Sequence, residues 1–138
     1  NKLSKIISQN KKNKKILKNI IMKNKKITFR EITDKGELSD TLIFFLKNKY
    51  AANKFAKIYS KKGYGIKNLP NAIDWHFAGK WKHMLKKPHK KNNNWNKIWS
   101  KSQKLLERSI SIPVLLKETK NEIVKKGNLI NHILDNHL

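Results

Sequence analysis

Cysteine is absent from the chain, which excludes disulfides and thiolate metal sites. Arginine is nearly absent. Of 33 basic residues only Arg30 and Arg108 are arginine, and the rest are lysine. The nine carboxylates are scattered, so no close acidic pair suited to glycoside chemistry stands out. Glycine and proline are few, and neither a glycine-rich phosphate loop nor a GxSxG elbow is present. No apolar run approaches the roughly 20 residues that a membrane span needs. No signal-peptide pattern follows Asn1, and a chain that starts without methionine is expected to be processed or cut.

The 138 residues are 38% hydrophobic, enough for one modest domain with a real core. Their net charge is +24. The lysines travel with asparagine and isoleucine, and all three have A/T-rich codons. Compositional drift therefore accounts for the charge ahead of selected nucleic-acid binding. The shortage of arginine points the same way, because its planar fork is the usual reader of phosphates and base edges.

The spacing of Leu3, Ile6, Ile7, Ile16, Leu17, Ile20 and Ile21 predicts a long amphipathic helix over 1–23. Lys11, Lys12, Lys14 and Lys15 fill its middle and read as a solvated face. "KKITFREI" predicts a half-buried strand with Ile27 and Phe29 on one side. "TDKGELSD" reads as a loop. "TLIFFL", Thr41 to Leu46, predicts a strand buried on both faces. Tyr50, Ala51, Phe55, Ile58 and Tyr59 then fall at helical spacing, with Asn48 as N-cap and Gly63 as the left-handed terminator. The stretch 70–94 is irregular and rich in aromatics and histidine. Trp95, Ile98, Trp99, Leu105 and Leu106 predict a helix. "SISIPVLL" predicts a strand whose Pro113 marks an end or an edge. "TKNE" is a capping box that opens a final helix with Gly127 inside it, at a cost of about 1 kcal/mol relative to alanine. The segments are thus a leading helix (1–23), strand–strand–helix–strand (27–69), an aromatic loop (70–94) and helix–strand–helix (95–135). The fold class is α+β: a small antiparallel or mixed sheet covered by helices.

No constellation of residues makes a complete catalytic set. The five histidines are His76, His83, His89, His132 and His137, and none forms a HExxH pair. No catalytic residue and no metal ligand is assigned. The informative stretch is "DWHFAGKWKH", Asp74 to His83. Trp75, Phe77 and Trp81 either plug a loop-rich part of the core or line a site. His76 lies in irregular backbone beside glycine and proline, where sites tend to be.

The order of these motifs resembles the C-terminal part of the DegT/DnrJ/StrS aminotransferases, a sugar-aminotransferase branch of the fold-type-I pyridoxal-phosphate enzymes. The resemblance rests on "KLSKII", "ITFREI", "DTLIFFL", "KKGYGIKNLP", "DWHFAGKW", "LLERSISIPVLL" and "KETKNEI", in that order, over nearly the whole chain. It implies the fold of a fold-type-I C-terminal small domain. It also implies that a larger N-terminal domain, holding the pyridoxal 5'-phosphate and its lysine, precedes Asn1 in the full-length protein. The reaction implied moves an amino group from glutamate or glutamine to a keto-sugar, often nucleotide-linked, in a cytoplasmic homodimer. By resemblance His76 contacts the sugar substrate, with Trp75 as its apolar neighbour; Lys80, Trp81 and Arg108 are further substrate-binding candidates. "DW" stands here where the commoner family form has proline-leucine before the histidine, which leaves the amino acceptor open. On this reading the isolated chain is inactive. The alternative is a lysine-rich RNA- or DNA-binding or ribosome-associated protein, in which Trp75, Trp81, Trp95 and Trp99 stack on bases. It lacks any RRM, KH or zinc signature.

Overall fold

A computed structural model describes residues 1–33, 36–68, 77–81, 97 and 99–138. Helix α1 (Lys2–Ile21) leads into β1 (Thr28–Phe29) and β2 (Thr41–Phe45), then α2 (Lys49–Lys61) and β3 (Lys67–Asn68). A 3-10 turn at Ala78–Lys80 is followed by α3 (Ser100–Glu107), β4 (Ser109–Pro113) and α4 (Lys120–His137). The strands form one antiparallel sheet in the order β1-β2-β4-β3. The class is α+β, with α1, α2 and α4 packed together against the sheet. No helix among the described residues is long and apolar enough to cross a membrane.

The core lies between sheet and helices. Leu42, Phe44 and Leu46 of the β2 segment alternate inward and meet Ile110 and Ile112 of β4. Helix α2 sends Phe55 and Tyr59 against them. Phe44 meets Phe55 edge-on at 5.6 Å, and Phe55 stacks on Tyr59 at 5.4 Å. Helix α4 adds Ile123, Ile130, Ile133 and Leu134, all fully buried. Tyr59 finds no hydrogen-bond partner for its hydroxyl among the described residues. Burial, then the neighbouring Tyr64 and the charge of Glu118, drive its pKa far above the usual tyrosine value. Tyr59→Phe is therefore expected to stabilise the fold by about 1 kcal/mol, read as a shift of the urea midpoint, since it removes an unsatisfied buried group. A loss of stability would show that the hydroxyl is bonded.

Local signals set most boundaries. Asn48 caps α2 by accepting from Ala51 N at 2.9 Å, and Gly63 ends that segment at φ +82°. Thr119 and Glu122 form the capping box of α4. Their hydrogen bonds hold the Glu122 carboxyl below the usual carboxylate range.

Four readings are corrected. The lysine-rich middle of α1 is not one solvated face. Lys11, Lys12 and Lys15 are exposed, whereas Lys14 is buried with Asn10 and Asn13. These three continue the buried stripe between Ile6 and Leu17 because each finds a polar partner. Asn10 donates to Leu38 O, Asn13 donates to Leu115 O, and Lys14 pairs with Glu37. Burial raises the pKa of Glu37, but the Lys14 bond and charge, Ser39 and Arg30 outweigh it and hold it below the ordinary value.

Strand burial differs from expectation at β2, and of the two readings of Pro113 only the strand end survives. Strand β2 is buried on one face and half-buried on the other, while β4 is buried along both faces up to its last residue. Both strands are interior to the sheet, so their place in it does not separate them; the alternate face of β4 carries the small residues Ser109 and Ser111, whereas that of β2 carries Ile43 and Phe45. Pro113 accordingly marks the end of a strand and not an edge. Tyr50 is the fourth correction. It is 73% exposed, off the face that buries Ala52, Phe55, Ala56 and Tyr59.

Candidate functional site

Of the five predicted site residues, Trp75 and His76 lie outside the described residues, as do His83, His89, Trp95 and the rest of residues 82–96. Lys80 and Trp81 lie at the end of the 3-10 turn, with Lys80 exposed and Trp81 partly so. The turn is anchored by Phe77, which is buried and meets Trp99 edge-on at 6.4 Å. This contact fixes the 77–81 segment against the start of α3. Gly79 permits the fit: a Cβ there would lie 2.4 Å from the Phe77 ring. Phe77 is thus the core plug that one reading of the aromatic stretch expected.

Arg108 sits elsewhere, between α3 and β4. Leu46 N donates to Arg108 O at 2.9 Å, and Arg108 Nη1 donates back to Leu46 O at 3.0 Å. These two bonds extend the β2–β4 ladder one step past the pair Phe45–Ser109. The guanidinium also lies over the Phe45 ring, with its carbon 5.4 Å from the centroid. One N–H of its fork is used this way, so the side chain is oriented while most of its donors remain.

The cleft beside Arg108 has a volume of about 660 Å³. Lys25 and Lys26 reach it from the α1–β1 connection, Lys47 from the end of β2, and Lys54 with Tyr50 from α2. His137 and Leu138 close the side formed by α4. No aspartate or glutamate side chain lines it among the described residues. Lys26 doubles as a helix cap, donating to Leu134 O at 2.8 Å and Asp135 O at 3.3 Å. Cations at a helix C-terminus answer its unpaired carbonyls. The structure therefore does not bring all the predicted site residues together: Lys80 and Trp81 do not line the cleft that holds Arg108.

Sequence reading missed Lys25, Lys47, Tyr50 and Lys54. They come from three separate elements, and lysine is too common in this chain to signal anything by its presence. No local signal marked Tyr50 either, since helical spacing grouped it with the core residues of α2.

The cleft does not fit pyridoxal phosphate. That cofactor needs a lysine to carry it and a side chain facing its ring nitrogen, in many enzymes a carboxylate. The lining supplies no acidic side chain. The two buried lysines among the described residues, Lys14 and Lys126, are already paired with Glu37 and Glu118. No chemical step is assigned to the cofactor on this chain. No family model matches the chain, and no curated protein matches it.

Proposed function

We propose that this chain is the small C-terminal domain of a pyridoxal-phosphate-dependent aminotransferase of the DegT/DnrJ/StrS type, acting on a keto-sugar. The reading is carried by the order of motifs from "ITFREI" through "GIKNLP" and "DWHFAGKW" to "SISIPVLL" and "TKNEI". In this assignment the larger domain holds the cofactor and its lysine and does the bond-making. The small domain supplies orientation: His76 and Trp75 to the sugar, with Lys80 and Trp81 as further contacts, while Arg108 stands apart in its own cleft. Such an enzyme works as a cytoplasmic homodimer with glutamate or glutamine as amino donor.

Two features support a missing neighbour. Leu3, Leu38 and Leu115 are each more than half exposed. The carbonyls of Leu38 and Leu115 are both held by α1, through Asn10 and Asn13. Apolar surface of this kind suits a domain contact.

The test is made in the longer protein. Sequence upstream of Asn1 is expected to encode, in frame, a domain with a cofactor-lysine motif. In that protein His76→Ala should lower kcat/KM for the keto-sugar by at least tenfold while the visible absorbance of the bound cofactor stays unchanged. Loss of cofactor absorbance, or unchanged sugar turnover, would remove His76 from the substrate wall. An upstream region without such a domain would remove the reading altogether.

A further inference from the structure

We infer that the outer face of the helix layer docks on an anionic lipid surface. The layer has α4 in its middle, packed against both α1 and α2, while α1 and α2 do not pack on each other. Each helix turns its buried stripe inward, and the positions opposite that stripe form the outer face. On α1 the stripe is Asn10, Asn13, Lys14, Leu17 and Ile21, and exposed Lys5, Lys12 and Lys15 lie opposite it. On α2 the stripe is Ala52, Phe55, Ala56 and Tyr59, and exposed Lys54, Lys57 and Lys61 lie opposite it on successive turns. Lys125 takes the same place on α4. None of these lysines forms an ion pair among the described residues.

Compositional drift accounts for the number of lysines, but not for where the carboxylates stand. Neither α1 nor α2 contains an aspartate or a glutamate. The two carboxylates of α4 stand near its ends and are engaged, Glu122 in the capping box and Asp135 in accepting from Asn24 Nδ2 at 2.8 Å. Helix α1 alone is about 30 Å long, so the cations are spread over a distance that no small anion spans. Their partner is broad and carries many negative groups. The type of cation then chooses between such partners. Nucleic acid is read best by the planar fork of arginine, and these three helices have none. A bilayer presents mobile headgroups with no fixed pair of oxygens, and there the flexible point charge of lysine serves as well. Tyr50 begins the α2 stripe and is 73% exposed, and a membrane–water interface is where such an amphipathic ring sits well. The face has this character whether or not the chain belongs to an aminotransferase.

With a net charge of +24 the chain attracts any polyanion at low salt. The experiment therefore works at physiological ionic strength, by co-sedimentation of the 138-residue chain with vesicles of phosphatidylglycerol and phosphatidylcholine, or of phosphatidylcholine alone. Binding to the anionic vesicles only is expected. Two variants then lose the same charge from different places. The face variant carries Lys12→Gln, Lys15→Gln, Lys57→Gln and Lys61→Gln. The control carries Lys97→Gln, Lys101→Gln, Lys104→Gln and Lys117→Gln, at exposed positions outside the helix layer. One lysine at an anionic surface is worth about fivefold in partitioning, so the face variant should bind at least about thirtyfold more weakly and the control less than about threefold. Both should keep the unfolding midpoint of the parent, since all eight side chains are exposed. Equal losses in the two variants would overturn the face, because net charge alone would then explain the binding. Absence of binding at this salt, or equal binding to phosphatidylcholine alone, would do the same. So would a double-stranded RNA that binds more tightly than the anionic vesicles and is lost in the face variant alone, since the face would then belong to nucleic acid.

Discussion

Glu118→Gln should cost the fold about 3 kcal/mol, a large share of the stability of a domain this size. Lys126 is nearly enclosed in α4 at 3% exposure, and its ammonium has two partners, the Glu118 carboxylate and Pro113 O at 3.1 Å. The glutamine keeps the shape and can still accept from Leu115 N, as Glu118 Oε2 does at 3.0 Å. What it removes is the charge that compensates a buried cation. Leaving such a cation unpaired is far more costly than never having the pair. The double variant Glu118→Gln with Lys126→Met should therefore recover most of the loss, because an apolar side chain of similar length fills the place of the lysine stem. Thermal unfolding reads both, and the single variant should fall by about 10 °C. A single variant within 1 kcal/mol of the parent, or a double variant no better than the single, would show that solvent reaches Lys126.

Lys126 and Lys14 also mark how far the sequence could be read. Caps and terminators were legible at Asn48, Gly63 and Thr119 because each acts through its own backbone neighbours. Periodicity found the four main helices and the two longer strands for the same reason. It could not find the buried lysines. Lys14 pairs with Glu37 from a loop 23 residues away, and nothing local distinguishes it from exposed Lys15. Strand burial failed on similar grounds. "TLIFF" is apolar at every position after its threonine, yet one face is only half covered. "SISIP" alternates, yet lies inside the sheet. What covers each face of the sheet decides burial, and that is a property of the whole chain. The cleft beside Arg108 is the strongest case. Its cations come from the α3–β4 junction, the end of β2, α2 and the α1–β1 connection, and only the fold brings them together.

Gly127 separates a local rule from its tertiary override. In an exposed helix a glycine-to-alanine change stabilises by about 1 kcal/mol, and α4 at Gly127 has a regular helical backbone. Here the sign should reverse. A Cβ at Gly127 would lie 2.7 Å from Ile20 Cγ2 and 3.0 Å from Ile20 Cβ. Those atoms belong to a β-branched side chain close to the α1 backbone, which has little freedom to turn away. The helices α1 and α4 must then part, at the contact that Asn131 also ties by donating to Ile20 O at 3.1 Å. Overpacking of this kind costs about 1–3 kcal/mol. Gly127→Ala should therefore lose about 1 kcal/mol net, and Gly127→Val about 3 kcal/mol or more, since two further methyls meet the same wall. The relief should come from the other helix. Ile20→Ala alone lowers stability, but in combination with Gly127→Val it should restore about 1–2 kcal/mol relative to the sum of the two single changes. Denaturant midpoints of the four proteins give that coupling directly. A Gly127→Ala protein more stable than its parent, or strictly additive losses in the pair, would mean that α1 and α4 do not approach at this point.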